Sequence, residues 1–239
     1  MYLSVIIPAY NEEKRIGSTL KSIDEYLRWQ NYDYEIIVVS DGSKDNTAAL
    51  VTNFEAEIRN LRLIDNKENH GKGYVVKQGM LEAKGELRLF TDADNSTSMD
   101  HLDSFIFHVN EGYQTIIGSI AVKGYKISAG SEPAWRRVLG KFGNLFIQIM
   151  AVPGIHDTQR GFKLFTAKAA DSIFPKLTIS RWGFDIEVLA LARKLGYRIK
   201  EVPVDWKNDP NSKVGLKAYF QVLLETVIIR WNLMTGKYN

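Results

Sequence analysis

Asp92 and Asp94, two aspartates separated by one residue, are the pair in this sequence whose type and spacing best suit metal chemistry. They follow an apolar run and precede small polar residues, which predicts that they lie at the end of a strand. Two carboxylates in that position can share one hard divalent cation and still leave sites for water and phosphate oxygens. The alternative is structural, with Asp92 ending the strand and Asp94 capping the next helix.

Other polar segments also follow predicted strands, at residues 8–13, 40–47 and 69–73. Pro8 and Tyr10 could flank a base, and Asp41 could accept a hydrogen bond from a base N–H. Lys72, between two glycines, could meet phosphate through its backbone and its side chain. Each has a plainer interpretation, because the segment at Asp41 is a common turn and the segment at Lys72 also suits a solvated loop that opens a helix.

Several function classes are excluded by what the sequence lacks. No Gly-x-Gly-x-x-Gly follows the first strand and no Gly-x-x-x-x-Gly-Lys-Ser/Thr occurs, which argues against a dinucleotide dehydrogenase and a P-loop NTPase. The absence of cysteine excludes a disulfide scaffold, a thiolate zinc site and a cysteine nucleophile. The histidines show no metal-ligand spacing.

The elements that must position these loops follow a strand–helix alternation. Short β-branched runs predict strands at 3–8, 34–40, 61–66, 86–92 and 115–119, with helical patterns at 12–29, 46–60 and 71–84. This is the pattern of a parallel sheet with helices on both faces, in which ligands bind at the carboxyl ends of the strands. The second half predicts a loop at 119–133, a helix from Pro133 to Pro153, an extended piece at 161–165, a helix at 183–195, a strand at 197–206, a polar loop at 207–213 and a final helix to about 234.

Composition bounds the class of protein. The chain has 239 residues, of which 45% are hydrophobic and 25% charged, which suits one large domain and excludes disorder and collagen-like repeats. A net charge of +3 is too small to argue for nucleic acid. We expect no signal peptide and no transmembrane span, since no run reaches the ~20 apolar residues that a bilayer requires. The protein should be soluble or lie on a membrane surface.

The order and spacing of four segments resemble the glycosyltransferase family 2 domain: 4–13, 41–47, 69–73 and Asp92-Ala93-Asp94. Later segments are similar to the branch that acts on dolichyl phosphate with glucose, beside the dolichyl-phosphate mannose synthases: 157–165, 181–187, 202–206 and Ser212-Lys213. The resemblance implies a GT-A fold, a Rossmann-like and mostly parallel sheet with helices on both faces, extended by C-terminal helices on the acceptor side. It also implies a nucleotide-sugar-binding half at 1–119, an acceptor segment at 120–156, and an acceptor and sugar-side half at 157–239.

The resemblance further implies roles for single residues. Pro8, Tyr10, Glu12 and Asp41 would hold the nucleoside, and Asp92 and Asp94 would bind Mg²⁺ or Mn²⁺ on the diphosphate. Asp157, Gln159, Trp182 and Asp185 would line the donor-sugar cleft, with Asp157, Gln159 and Lys72 as the catalytic group.

Two positions depart from the family pattern. Ser40-Asp41 stands where the family usually has paired aspartates, and Asp41 is the base-contacting member. Gly118-Ser119 is followed by Ile120, where relatives place an arginine for the acceptor phosphate. One expected phosphate ligand is therefore missing.

The expected mechanism follows from charge. A lipid phosphate is already an anionic nucleophile, so alignment and stabilisation of the leaving diphosphate by the metal and Lys72 would lower the barrier. In-line attack would invert the anomeric carbon. For a hydroxyl acceptor a base would be needed, and Asp157 is the candidate; its alternative role is to orient Arg160 or to cap backbone at a strand start.

The positive charge is concentrated on one segment. Residues 120–150 carry +4, so the rest of the chain sums to −1. Arg136, Arg137 and Lys141, beside an apolar helical stripe, are the candidate ligands for an anionic lipid headgroup. The stripe could equally be core with a solvated basic face. The final helix could be core, a dimer face or an interfacial anchor.

The sequence thus predicts a metal-dependent inverting hexosyltransferase, with glucose from UDP-glucose as donor and dolichyl or polyprenyl phosphate as acceptor. We expect it to be peripheral on the cytoplasmic face of a membrane, with oligomerisation through the final helix possible and no nucleic-acid partner. The alternatives are GDP-mannose as donor, a non-lipid sugar acceptor, or a non-catalytic nucleotide-sugar binding module.

Overall fold

The structure, a computed structural model, describes residues 1–123, 127–128, 134–207 and 216–239. The side chains of 127–128, 134–139, 141, 207 and 216 lie outside that description. Three predicted features also lie outside the described residues: Pro133, Ser212-Lys213, and the loop predicted at 207–213 except for its first residue. Within the described residues, no helix is both long enough and apolar enough to span a bilayer.

The described strands and helices alternate through the first half of the chain. The strands are β1 (Leu3–Ala9), β2 (Tyr34–Asp41), β3 (Leu61–Asn66), β4 (Leu87–Thr91), β5 (Thr115–Ser119), β6 (Ile127–Ser128), β7 (Phe162–Thr166), β8 (Ile199–Pro203) and β9 (Trp206–Lys207). The helices are α1 (Ile16–Leu27), α2 (Thr47–Glu55), α3 (Lys72–Glu82), α4 (Leu102–Asn110), α5 (Ala134–Met150), α6 (Ala167–Ile173), α7 (Phe184–Lys194) and α8 (Leu216–Thr235), with 3₁₀ turns at Met99–His101 and Phe174–Lys176.

One large sheet organises the molecule, with strand order β3-β2-β1-β4-β7-β5-β8 among the described residues. The pairs β1–β2, β1–β4, β2–β3 and β5–β8 are parallel, as predicted, while β7 runs antiparallel to both β4 and β5. The antiparallel direction places Phe162, the first residue of β7, beside Thr91, the last residue of β4. Residues 157–161 therefore reach the same edge of the sheet as Asp92.

Two apolar layers cover the two faces of this sheet. Alternate residues of each buried strand point to opposite faces, so that Ile6 contributes to one layer and Val5 and Ile7 to the other. Helices α1, α2 and α4 pack on one face, and α3, α5, α6, α7 and α8 supply the other. The mostly parallel α/β fold with helices on both faces is confirmed.

The strand predicted at 197–206 is instead two strands. Strand β8 ends at Pro203, and the chain then leaves the large sheet, so that Trp206–Lys207 pairs in parallel with Ile127–Ser128. Asp205 N–H donates to His101 Nε2 (3.0 Å) at this departure. The predicted loop at 119–133 therefore contains a short strand, and the second small sheet links the acceptor segment to the end of β8.

Candidate active site

The loops after β1 and β2 are joined to each other by side-chain and backbone hydrogen bonds. Asn11 shows the pattern, because its N–H donates to Ser43 Oγ (3.1 Å) and its Oδ1 accepts from Lys44 N–H (2.8 Å). The same arrangement continues along both loops: Glu12 N–H to Thr47 Oγ1 (2.7 Å), Glu13 N–H to Asp45 Oδ2 (3.1 Å) and Asn46 N–H to Glu13 Oε2 (3.0 Å). Many of the polar groups of 11–13 and 43–47 thus hydrogen-bond the two loops to each other.

Asp41 is buried and organises the next loop. Its Oδ1 accepts from His70 N–H (2.7 Å), and its Oδ2 accepts from Gly71 N–H (2.8 Å) and Asn69 Nδ2 (2.8 Å). The carboxylate therefore fixes residues 69–71 from the end of β2. Acceptance of a base N–H by the same carboxylate stays a prediction.

The nucleoside residues predicted after β1 lie at the same edge. Pro8 is buried within β1, while Tyr10 is 37% exposed directly after the strand. The carboxylate of Glu12 accepts from Arg15 Nε (2.7 Å). We name the four loops 8–13, 40–47, 69–73 and 92–96 the donor edge.

Gly71 and Lys72 bring the start of α3 into the site. Gly71 has φ +103°, and a Cβ there would overlap the carbonyl oxygen of Ser180, so the loop requires glycine at this point. This close approach fixes Lys72, whose Nζ lies 2.6 Å from Asp92 Oδ1. The structure thus pairs the candidate diphosphate lysine with the first aspartate of the candidate metal site.

Asp92 and Asp94 follow β4 as predicted. Asp92 N–H donates to the carbonyl of Gly161 (3.1 Å), and a Cβ at position 161 would overlap the Asp92 carboxylate. Asp94 Oδ1 accepts from Ser96 N–H (2.9 Å), whereas the cap of the next helical turn is Ser98. The structural alternative for Asp94 as a helix cap is therefore wrong.

The pair fits a divalent cation that shares its ligands with substrate. Carboxylate oxygens are the ligands that Mg²⁺ and Mn²⁺ prefer, and both retain waters or phosphate oxygens in such sites. In the described part of the chain, no group of three or more His, Asp or Glu side chains could enclose a metal. Two carboxylates, as at Asp92 and Asp94, leave the other positions of such a cation to water or phosphate oxygens.

A buried ion pair that the sequence did not assign lies beneath the donor edge. Lys163 on β7 is fully buried, and its Nζ lies 2.5 Å from Oδ1 of Asp185, a residue that is only 4% exposed. The Nζ atoms of Lys163 and Lys72 lie 5.2 and 5.7 Å from the centre of the same Phe90 ring. Asp185 is thus held beneath the donor edge by Lys163, and no spacing rule connects two residues so far apart in the chain.

Burial and charge shift the pKa values of this cluster in different directions. Burial raises the pKa of Asp185 although Lys163 and Lys72 act against it, and burial lowers the pKa of Lys163 although Asp185 opposes this. For Lys72 burial acts downward, but Asp92 and Asp185 outweigh it and raise the pKa above the ordinary lysine value. Lys72 therefore remains cationic throughout the neutral pH range.

The Asp157 carboxylate accepts hydrogen bonds from the end of β5 and from Arg160. Its Oδ2 accepts from Ile120 N–H (3.0 Å) and from Arg160 Nε (3.0 Å). The orienting role that the sequence offered as an alternative to base catalysis is therefore present in the structure. Gln159 is exposed beside it.

The segment before α7, which holds Trp182, is anchored to α8. Trp182 is half-buried against the core, and the next residue, Gly183, donates its N–H to Glu225 Oε2 on α8 (2.6 Å). Farther along α7, fully buried Glu187 accepts from Ile179 N–H (2.8 Å) and Tyr238 OH (2.6 Å). The C-terminal helix and tail thus position residues 179–185.

The three basic residues predicted for the acceptor phosphate lie on α5. Arg136, Arg137 and Lys141 fall within its described backbone, and their side chains lie outside the described residues.

The fold and the donor edge define a class of protein. A mostly parallel sheet, with an acidic pair after β4 and a lysine from α3 at its carboxyl edge, is the arrangement of a GT-A glycosyltransferase. Solved structures agree in fold: glucosyl-3-phosphoglycerate synthase from Mycobacterium tuberculosis, in complex with Mn²⁺, UDP-glucose and phosphoglyceric acid, has a TM-score of 0.71 at 20% identity and covers 96% of this chain and 79% of its own. Staphylococcus aureus TarS with UDP-GlcNAc has a TM-score of 0.60 at 18% identity, with 96% of this chain and 66% of that chain covered.

The chain belongs to glycosyltransferase family 2, whose model, described as "Glycosyl transferase family 2", matches residues 4–174. Curated relatives are similar over almost the whole chain. A dolichyl-phosphate beta-glucosyltransferase of Dictyostelium discoideum is 38% identical, with 99% of this chain and 76% of that protein covered. The human and Saccharomyces cerevisiae proteins of that name are both 31% identical, each with 77% of its length covered.

Proposed function

We propose that this glycosyltransferase moves glucose from UDP-glucose to the phosphate of a dolichyl or polyprenyl carrier, with inversion at the anomeric carbon and with Mg²⁺ or Mn²⁺ bound. The observation that carries this proposal is the contact between Lys72 and Asp92 (2.6 Å) beside Asp94. In the proposed complex, this one cation and the two carboxylates would border the leaving diphosphate of the nucleotide sugar.

Asp92 and Asp94 would hold the metal, and Lys72, whose Nζ contacts Asp92, would bind the diphosphate beside it. The metal, when bound, neutralises the charge that develops on the leaving diphosphate. Lys72 serves the same end, because its raised pKa keeps it cationic and its position is fixed by the packing of Gly71 against Ser180.

The bond changes need no proton transfer. An oxygen of the acceptor phosphate attacks the anomeric carbon, and the bond from that carbon to the UDP oxygen breaks with its electron pair going to UDP. Because the acceptor is already an anion, the chain's task is alignment and charge stabilisation. Asp157 would act as a base only for a hydroxyl acceptor, and its oxygen Oδ2 already accepts from Ile120 and Arg160.

The choice of substrates is supported by relatives and fold neighbours. Relatives at 31–38% identity bear the name dolichyl-phosphate beta-glucosyltransferase, and a fold neighbour was crystallised with Mn²⁺ and UDP-glucose. We assign donor binding to 1–119, acceptor binding to 120–156, and completion of the sugar cleft to 157–239.

Membrane association is supported by apolar surface on two neighbouring helices. Helix α8 exposes large apolar side chains at helical spacing: Phe220, Leu224, Val227, Ile228, Trp231 and Met234. Helix α5, which packs against α8, exposes Phe142, Leu145 and Ile149 along one face. We call these residues the apolar faces of α5 and α8.

The charges around the apolar faces favour a lipid surface. Helix α8 contains Lys217, Glu225 and Arg230 as its charged residues; Glu225 is buried, while both cations are exposed. Helix α5 contains Arg136, Arg137 and Lys141 and no acidic residue. An exposed apolar surface with two exposed cations on α8, next to a helix whose sequence has no acidic residue, suits an anionic membrane, and we place the protein at the cytoplasmic face of one. A dimer through the same faces is the outcome that a vesicle-binding experiment would have to exclude.

A panel of labelled nucleotide sugars tests the proposal. Each would be incubated with Mn²⁺ and a short-chain polyprenyl phosphate, and the label extracted into organic solvent would be counted. We expect label from UDP-glucose to exceed that from GDP-mannose. Label in the organic phase from none of the donors would reject the proposal.

A further inference from the structure

Arg160 is held on two sides at the edge of the candidate site. Its Nε donates to Asp157 Oδ2 (3.0 Å), and its guanidinium lies over the ring of Trp206, 4.5 Å from the ring centre. Its terminal nitrogens donate no hydrogen bond to any residue that the structure describes. The side chain is 24% exposed. A guanidinium fixed in this way keeps the four N–H donors of its two terminal nitrogens for a ligand.

The position of Arg160 relates it to a missing ligand. The Asp157 oxygen that accepts from Arg160 also accepts the N–H of Ile120 (3.0 Å), the residue that directly follows β5. The family resemblance leads one to expect an arginine for the acceptor phosphate at position 120. In the structure, Arg160 Nε and the backbone N–H of Ile120 donate to the same Asp157 oxygen, so the Arg160 guanidinium lies close to position 120.

Neighbouring contacts place Arg160 between the leaving-group site and the acceptor segment. The next residue, Gly161, approaches the Asp92 carboxylate so closely that a Cβ would overlap it. On the other side, Trp206 lies on β9, which pairs with Ile127–Ser128 of the acceptor segment. Lys72 meets Asp92 from α3, so the diphosphate already has its own cation.

We propose that Arg160 binds the phosphate of the acceptor and takes over the role that an arginine at position 120 would have. The proposal rests on the proposed function of this site. A guanidinium suits the task, because it is always charged and its planar fork matches two phosphate oxygens at once. Because Asp157 and Trp206 already hold the Arg160 side chain, less conformational entropy is lost when it binds a phosphate.

The test compares R160Q with R160K and with a rescue variant, using citronellyl phosphate as the acceptor. Loss of a charge-assisted bidentate contact should raise the acceptor KM of R160Q on the order of 10- to 100-fold. Its UDP-glucose KM and its affinity for UDP should stay within about twofold, since Lys72 and Asp92 are unchanged. R160K should lie between R160Q and the wild type. Adding I120R to R160Q should recover at least part of the acceptor affinity, which a purely structural role of Arg160 would not produce.

R198Q is the matched control. Arg198 also lies over an aromatic ring, 4.1 Å from the centre of the Tyr113 ring. It directly precedes β8, whereas Trp206 and the proposed site follow the other end of that strand. We expect its acceptor KM to be unchanged, and thermal melting of all variants reports whether they fold.

The outcomes separate the two proposals. An unchanged acceptor KM in a folded R160Q, with the wild type active on citronellyl phosphate, would overturn the role of Arg160 alone. A rise in the UDP-glucose KM equal to that for the acceptor would also overturn it, because Arg160 would then serve the donor. A wild-type protein that neither binds nor glucosylates any lipid phosphate would overturn the proposed function, and the role of Arg160 with it.

Discussion

The donor edge and the apolar faces of α5 and α8 differ in which side chains they expose to solvent. At the donor edge, polar groups of 11–13 and 43–47 are paired with each other, and Asp41 fixes the following loop from a buried position. On α5 and α8, large apolar side chains such as Phe142 and Trp231 lie exposed. The first region is held in place by its own hydrogen bonds, as the proposed binding of a nucleotide sugar requires, whereas the second has the apolar composition that the proposed membrane contact requires.

The largest effect is expected at the buried pair beneath the donor edge. Lys163→Met leaves the Asp185 carboxylate buried without its partner, which should lower the free energy of unfolding by about 3–5 kcal/mol. The double variant K163M/D185L removes both charges and should be markedly more stable than K163M. Urea denaturation measures both, and equal stability of the single variant and the wild type would mean that this pair does not support the donor edge.

The next effect concerns the proposed metal site. Asp94→Asn should reduce transfer on the order of 10²–10³-fold, because it weakens stabilisation of the leaving diphosphate. Mn²⁺ affinity, followed by electron paramagnetic resonance, should fall with it. Asp100→Asn, on an exposed aspartate of the following 3₁₀ turn, is the control and should change neither quantity. Full activity and Mn²⁺ binding in D94N would remove Asp94 from the metal site.

The apolar faces give a smaller effect on a different quantity. The double variant Leu224→Ser and Trp231→Ser should bind vesicles of mixed neutral and anionic lipid roughly 10- to 100-fold more weakly. In the wild type, both apolar side chains would move from water into the lipid, and serine gains little from that transfer. Stability should change by no more than about 0.5 kcal/mol, because both are exposed. Val222→Ser, on the buried side of α8, should show the reverse pattern. Unchanged vesicle binding together with loss of a dimer in sedimentation would identify the faces as a subunit interface.

The smallest effect is expected on α5. Neutralising Arg136, Arg137 and Lys141 together should raise the acceptor KM by about three- to tenfold, since screened surface charges contribute little individually. UDP affinity, measured by calorimetry, should be unchanged. A loss of UDP affinity would place these residues on the donor side of the site.

Much of the donor edge is predictable from the amino-acid sequence because it depends on local patterns. Short β-branched runs predict β1 to β5, and in a parallel sheet the loops after them meet at one edge, so the common direction of the strands is enough to group Asp41, Lys72, Asp92 and Asp94. What the patterns omit is pairing over distance. The extended pattern at 161–165 does not predict that β7 runs antiparallel, and no local pattern connects Lys163 with Asp185, 22 residues away. The contact of Asp157 with Arg160, three residues apart, was within reach of the sequence. The helices at Leu102–Asn110 and Ala167–Ile173 were not predicted either.

The most direct test of the account compares two acceptors that differ only in the phosphate. Labelled UDP-glucose and Mn²⁺ would be given with a polyprenyl phosphate or with the polyprenol of equal length, and the label in the organic phase would be counted against UDP released. We predict label in the organic phase for the phosphate alone, matched by an equal amount of UDP. Equal labelling of the alcohol, or UDP release with no labelled lipid in either case, would contradict transfer to a lipid phosphate.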